Sequence, residues 1–505
     1  MTYPTRLTLK LLQAEHPTYT AMKSHLERIY LLTAGGWRLR DRLPEFLKQR
    51  PGEEDAIYET RLDKFSYSNV LGGALSQLAS KITNGTVHLS NVPPAADIFW
   101  QSFRENNNGQ GRTEIQLVEQ LFAEALKYKV VYCHVDKPKS PVTPLNRAQE
   151  EALGLTPHVV LYPAVQITNW GEIEGKLTWL KVFQIIDDTS NPLAPPLKQA
   201  RWTFIDGQYI ARYESYVKLG SNGRIVELLD AQGKPLPPTG QPEQTIPLTS
   251  LVQHGFGALP VTRLELPDDK WSSDQAVSKA EESLRLECHR YDLLTAAYLQ
   301  RTYKPIQTPD GDLPNTFVGD GDNSIPTGLQ YVLELDKFEW AEPRGDIVIH
   351  IDKALERAEK QIRTILGVGG AYVQESKVES GAAKEMDFEI EDQRLKSYGH
   401  ILTDALQDIY QLVAKAQGQD GSPLAVSGLD EFGNNRLDDL LDSLTKLLLI
   451  DMAQLQNSLT PTLFVLVRER LLGFLMSNLT PEQKEAIQQE LRVVPVEVSV
   501  EPDEE

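Results

Sequence analysis

Between residues 271 and 418 the apolar residues run in three helical stripes with two breaks, and that order leaves few architectures open. The first stripe is Val277, Ala280, Leu284, Cys288, Tyr291, Leu294 and Tyr298, whose steps of three and four lie on one helix face. Ser272 and Gln275 have capping-box spacing at its start, and Glu281 and Arg285 are placed to pair across one turn. From 272 to 303 such a helix is roughly 45 Å long, and one narrow stripe of that length wants a partner alongside. The second stripe supplies it with Ile347, Ile351, Leu355, Ala358, Ile362 and Ile365, and Gly367, Gly369 and Gly370 stop it. Between the two, Pro305, Pro309, Pro314, Pro326 and Pro343 forbid a continuous helix, so residues 304–343 are expected to form a compact module at the tip of an antiparallel pair. After a loop at 367–379 a third stripe follows with Ala383, Met386, Ile390, Tyr398, Leu402, Ala405, Ile409, Leu412 and Ala416, with Ser380 as its N-cap. Arg394 interrupts this stripe and Gly399 follows it, which predicts a kink.

Composition narrows the function classes. With 505 residues the chain has room for about two to four modules. A net charge of −20 argues against gripping nucleic acid through a broad basic face, yet suits a surface that DNA slides past. The plainer reading is that acidity keeps a large subunit soluble, and both can hold. No apolar run reaches the ~18 residues of a membrane span, and the N-terminus has no hydrophobic signal core. Cys133 and Cys288 fall on separate predicted elements and read as reduced packing residues of a cytosolic setting.

From the N-terminus, residues 5–32 read as two short helices divided by Pro17. Leu43, Pro44, Glu53, Tyr58, Arg61, Phe65 and Asn69 then run into Gly72 and Gly73. Residues 106–111 read as a linker, residues 113–128 as a helix, and residues 130–136 as an alternating, half-buried strand. Residues 158–265 are β-rich: strands are expected at 158–162, 177–186, 201–204, 208–217 and 223–228, with Asp206-Gly207 as a hairpin turn. Trp170, Trp179, Trp202, Phe183, Phe204, Tyr209 and Tyr213 supply an aromatic core there; without an excess of interleaved Lys and Arg, base stacking is the lesser reading. Residues 255–266 form a last strand before the first long helix. Beyond 418, three short helices are expected at 436–452, 462–474 and 481–491, with Pro481 at a first helical position.

No catalytic signature emerges. There is no phosphate-cradling Gly-x-x-x-x-Gly-Lys-Ser/Thr loop, no His-Glu-x-x-His, no Cys-x-x-Cys and no Gly-x-Ser-x-Gly. Asp310, Asp312, Asp320, Asp322 and Asn323 echo half of an EF-hand loop, but Tyr331 stands where the bidentate Glu belongs, which favours turn chemistry over a divalent site.

The order helix, tip module, helix, loop, long helix resembles the core of tailed-bacteriophage portal proteins. The run Leu43, Pro44, Glu53, Tyr58, Arg61, Phe65 and Asn69 resembles a portal-like subgroup, as does a leucine-rich helix around Leu444, a turn at Thr460-Pro461 and a basic helix at Arg468 and Arg470. Gln49-Arg50-Pro51 before the acidic turn departs from that pattern. The resemblance implies an α+β, mainly helical fold with an α/β wing (1–270), stem helices (271–303 and 344–366), a clip (304–343), a channel loop (367–379), a long kinked helix (380–418), a helical crown (419–492) and an acidic flexible tail (493–505). It implies a noncatalytic ring of about twelve subunits at one capsid vertex, in the virion and, during assembly, in the host cytoplasm. Double-stranded DNA would pass through the ring; the terminase large subunit, head-completion or adaptor proteins, and major capsid and scaffold proteins would dock on it. No cofactor, metal or membrane is implied. Gly367, Gly369, Gly370, Tyr372, Gln374, Lys377, Ser380 and Lys384 would belong to or flank the loop facing the channel. The alternative is a head–tail connector ring without a DNA-restraining loop; a nucleotide-driven packaging enzyme is a third class.

Overall fold

The computed structural model describes residues 3–138, 149, 153–189, 195–220, 223–236, 244–299, 346–368, 381–421, 423–430 and 432. The chain divides into two compact units, Met1–Phe432 and Gly433–Glu505, and the second lies wholly outside the described residues. The expected tip module, the three C-terminal helices and the acidic tail therefore lie outside them as well.

In the first unit the early strands are β1 (Arg6–Thr8), β2 (Val87–Ser90), β3 (Val130–Asp136), β4 (His158–Pro163), β5 (Ile167–Ile173) and β6 (Lys176–Asp188). They are followed by β7 (Leu197–Asp206), β8 (Tyr209–Leu219), β9 (Ile225–Leu229), β10 (Thr245–Gln253), β11 (Val261–Glu265) and β12 (Ala425–Gly428). The shorter helices are α1 (Leu9–Leu12), α2 (Pro17–Ala34), α3 (Gly36–Arg40), α4 (Asp55–Asp63), α5 (Val70–Lys81), α6 (Asp97–Glu105) and α7 (Glu114–Tyr128). Three long ones complete the set: α8 (Ser272–Leu299), α9 (Asp346–Leu366) and α10 (Gly381–Ala416).

The strands make three antiparallel sheets. The large one has the order β1-β10-β8-β7-β6-β5 with β9 added on β8; the others are β11-β3-β4 and β12-β2. The hairpin at Asp206-Gly207 forms as its sequence predicts: Asp206 Oδ1 accepts from the N–H groups of Gln208 and Tyr209, both at 2.7 Å. Trp202 and Tyr213, cross-strand partners, fill the core of this sheet. The N-terminal reading needs correction, because Arg6–Thr8 is a strand on β10 and not helix. Pro17 is the first residue of α2, with His16 as its cap, accepting from Thr18 N–H at 3.2 Å.

The main core joins α2, α5, α6, α7 and the three long helices to one face of the three-stranded sheet, through Val131, Cys133 and Val135. The opposite face, through Tyr132 and Val261, meets Ile167, Leu180, Val182, Ile205 and Ile210 of the large sheet. So β3 is covered on both sides, contrary to the half-buried strand predicted. Residues 106–111, expected to be a linker, are instead a loop tied to itself: Asn108 Oδ1 accepts from Gln110 and Arg112 N–H, and Asn106 Oδ1 from Gly111 N–H. Residues 425–428, grouped with the crown by the sequence reading, pair as β12 with β2. Among the described residues no helix is long and apolar enough to cross a membrane.

The junction of the three long helices

The seven positions from Leu43 to Asn69 shape the segment that clamps α8. Arg61 sits in a fork on Glu53, with Nε–Oε1 at 2.9 Å and Nη2–Oε2 at 2.6 Å, and also donates to Lys48 O at 2.9 Å. Hydrogen bonds from that guanidinium hold the Glu53 carboxyl down to about 2. Tyr58 donates its hydroxyl proton to Leu47 O at 2.7 Å, closing the turn beneath the pair. Asn69 caps α5 by accepting from Gly72 N–H at 2.9 Å, while its amide donates to Thr33 O at 2.7 Å. Leu43 is buried and Phe65 packs against the core, whereas Pro44 is exposed in a short 3₁₀ turn. The departing segment Gln49-Arg50-Pro51 shapes the turn that presents Glu53, with Gln49 donating to Glu53 O at 2.8 Å and Arg50 N–H to Glu53 Oε2 at 2.8 Å, and Arg50 Nη2 lies 3.3 Å from His289 Nδ1 of α8.

From this clamp the chain grips α8 at several further levels. Arg285 donates to Phe46 O at 3.3 Å, and the Glu287 carboxylate accepts from Ser68 N–H at 2.8 Å. Cys288 Sγ lies 3.4 Å from Ser66 O, and Lys64 pairs with Asp292 at 2.8 Å. The predicted Glu281–Arg285 pair forms at 3.0 Å, with Arg28 on the other side of Glu281 at 2.9 Å.

Helix α9 occupies the predicted span and runs antiparallel to α8, with Arg290 reaching Asp352 at 2.5 Å. Burial is graded along the pair. Val277, Ala280, Leu284 and Cys288 of α8, and Ala358, Ile362 and Leu366 of α9, are buried. Towards the other end, Tyr291, Ile347 and Ile349 are 48%, 48% and 55% exposed. Over the described side chains, burial thus falls along both helices away from the rooted end.

The rooted ends meet at Arg394, the residue that interrupts the third stripe. Its Nη2 donates to Ile365 O at 2.9 Å and to Ser272 Oγ at 2.7 Å, so one guanidinium ties the end of α9 and the start of α8 to α10. Ser272 is the first residue of α8, and its predicted capping box gives way to this contact. Gly367 ends α9 in the left-handed region at φ +67°. Its N–H reaches Thr364 O at 3.1 Å and that of Val368 reaches Arg363 O at 2.9 Å, a Schellman pair that satisfies the last carbonyls. A side chain at 367 would meet Arg394 Nη1 at 2.3 Å. Close by, Lys270 bonds to Ser397, and Tyr398 donates to Lys270 O at 2.9 Å.

Helix α10 spans 36 residues. Gly399 gives room for a close approach: a Cβ there would lie 1.7 Å from Leu429 O. Of the candidate channel-loop residues, Gly367 is the helix stop and Lys384 lies in the first turn of α10. Gly369, Gly370, Tyr372, Gln374, Lys377 and Ser380 lie outside the described residues, as do Asp310, Asp312, Asp320, Asp322 and Asn323. Sequence reasoning missed the role of Arg394, although an Arg inside an apolar stripe is a visible signal that its charge is needed there.

A cleft of about 470 Å³ opens beside α2, with His16 stacked on Trp170 at 3.9 Å between ring centres. Its charges are spent on each other: Arg263 bridges Glu172 and Glu265, and Lys129 pairs with Asp268. Among the described residues no three His, Cys, Asp or Glu side chains are grouped to hold a metal ion.

No protein-family model matches the sequence, and no curated protein matches it. Among solved structures, a chain of the virion of a native gene transfer agent particle is 14% identical, with 83% of this chain and 92% of that chain covered and a TM-score of 0.35. A chain of the neck of the empty particle, computed with C6 symmetry, is 12% identical over 77% and 87%, with a TM-score of 0.38. A chain of the neck of the native particle, computed with C12 symmetry, is 13% identical over 87% and 94%, with a TM-score of 0.33.

Proposed function

We propose that the chain is a portal subunit: about twelve copies form a ring through which double-stranded DNA enters, is held in and leaves a capsid. The observation that carries this reading is the graded burial of the α8–α9 pair, rooted at Arg394 and less buried away from it, followed at once by the long α10. In this reading the far ends pack against neighbouring copies and carry the 304–343 segment outward as the docking point for a packaging motor and, later, head-completion proteins. The Gly367 stop sets the start of the loop that contacts DNA. The ring works without catalysis. Its net charge, roughly −240 for twelve copies, disfavours sticky phosphate contacts along the conduit.

The test is mass photometry and negative-stain imaging of the purified chain, alone and with its capsid and scaffold partners. Rings near twelve subunits with an axial hole wide enough for duplex DNA are expected. A chain that stays monomeric with those partners present refutes the proposal. Rings with residues 367–379 labelled on the outer rim point to the connector alternative.

A further inference from the structure

His134 lies on β3, the middle strand of the three-stranded sheet, opposite Val160 of β4 and Val261 of β11. Only 3% of it is exposed, and neither ring nitrogen has a hydrogen-bond partner. The imidazole stacks on Tyr162 of β4, 6.1 Å between centres and 19° between planes. It shares its face of β3 with Tyr132, two residues away, which packs on the apolar cluster of the large sheet. Four titratable or charged groups face the ring: Asp136 on its own strand, His158 on β4, Arg212 on β8 and His254 just after β10. His254 accepts from Phe256 N–H at 3.2 Å on Nδ1, and its Nε2 lies 2.8 Å from Asp206 O. A proton on His134 would thus meet one carboxylate against an arginine, two other imidazoles and an apolar wall.

We propose that His134 makes the seam between the two sheets an acid-sensitive joint: protonation of its imidazole releases the large sheet from β3 while the helical core stays closed. The other face of β3 has its own apolar contacts with the helices through Val131, Cys133 and Val135, which no titration touches. The large sheet keeps an independent cluster around Trp202 and Tyr213. The seam is therefore the layer in which an added charge has fewest compensations.

The sign follows from burial, the largest cause, which outweighs the opposing Asp136 carboxylate and pushes His134 below its ordinary 6.5 to about 4. A histidine lowered on folding contributes fully above pH 6.5, and that contribution is lost as pH falls through 6.5 towards 4. Between pH 7 and pH 5 the opening constant of the seam should rise roughly 20-fold. Hydrogen exchange of the full chain at both pH values, corrected for intrinsic rates, reads this directly. Expected is a rise of that size in residues 130–136, 158–163 and 209–219, with none in α7 or α10. His134→Phe keeps a ring against Tyr162 and takes no proton, so the rise should vanish. His134→Gln, also non-titrating, gives the same reading if the phenylalanine fails to fold. Unchanged protection in the unsubstituted chain at pH 5, a rise spread evenly through the helical core, or a rise that survives both substitutions overturns the proposal.

Discussion

Adjacent glycines in α5 should respond to the same substitution in opposite directions. Gly72 is the third residue of the helix, where α5 crosses the end of α2; a Cβ there would lie 2.3 Å from Thr33 O and 2.6 Å from Asn69 Oδ1. Gly73 has nothing within 4 Å. Gly72→Ala must push away a backbone carbonyl, at a cost of about 1–3 kcal/mol. It also disturbs the Asn69 cap and the Asn69–Thr33 bond, each worth about 1 kcal/mol. Alanine returns only about 0.5–1 kcal/mol through backbone entropy, so the net is a loss of about 3 kcal/mol. Gly73→Ala receives that return with no clash and should gain about 0.5–1 kcal/mol. Hydrogen exchange of the α5 amides measures both without assuming that the chain unfolds in one step. Exchange should be roughly 100-fold faster in the first variant and about 3-fold slower in the second. If Gly72→Ala leaves exchange unchanged or slows it, the α2–α5 contact is looser than the geometry states and the reasoning fails.

Arg394→Ala should free the end of α9, removing charge-assisted bonds worth about 2 kcal/mol and speeding exchange at Gly367 and Val368 about 30-fold, with Arg394→Lys between the two. Glu53 is held below its ordinary 4.5, so its ion pair contributes fully above that pH and is lost as pH falls towards 2. Glu53→Gln should therefore lower the melting temperature at neutral pH and flatten its acid dependence, and a parallel acid limb in both proteins would contradict this. Burial pushes the Cys133 thiol up to about 12 and that of Cys288 upward too. Neither should react with Ellman's reagent until denaturant is added, and both should react then.

The long helices were legible because their apolar residues repeat at a local period, and the α9 span can be read from Ile347 to the Gly367 stop without any distant contact. The Asp206-Gly207 hairpin was legible for the same reason, since two adjacent residues set the turn. Pairings between distant segments were not. Leu7 stands four residues before Leu11, a spacing that fits a helix, and only β10 makes Arg6–Thr8 a strand. His134 reads as the polar side of an alternating strand, because a sequence does not reveal that a second sheet covers that side. The clamp residues were recognisable as a pattern, but their purpose required the Arg61–Glu53 fork and the Glu287–Ser68 bonds. Of the candidate channel loop, Gly367 was readable as a stop, while Arg394, which holds that stop in place, lies well outside the loop in sequence.

The β2–β12 ladder joins residues on average a third of a thousand positions apart, with Ser90 and Ala425 separated by 335. During synthesis at roughly 5–20 residues per second, β2 waits roughly 20–70 s before its partner exists. Through that interval it is an unpaired edge, protected by its four-residue length and by the polar His88 and Ser90 on alternate positions. The rim where Leu429 passes over Gly399 is assembled in the same late event. A nascent chain released before Ala425 would keep its helices yet remain open at that rim.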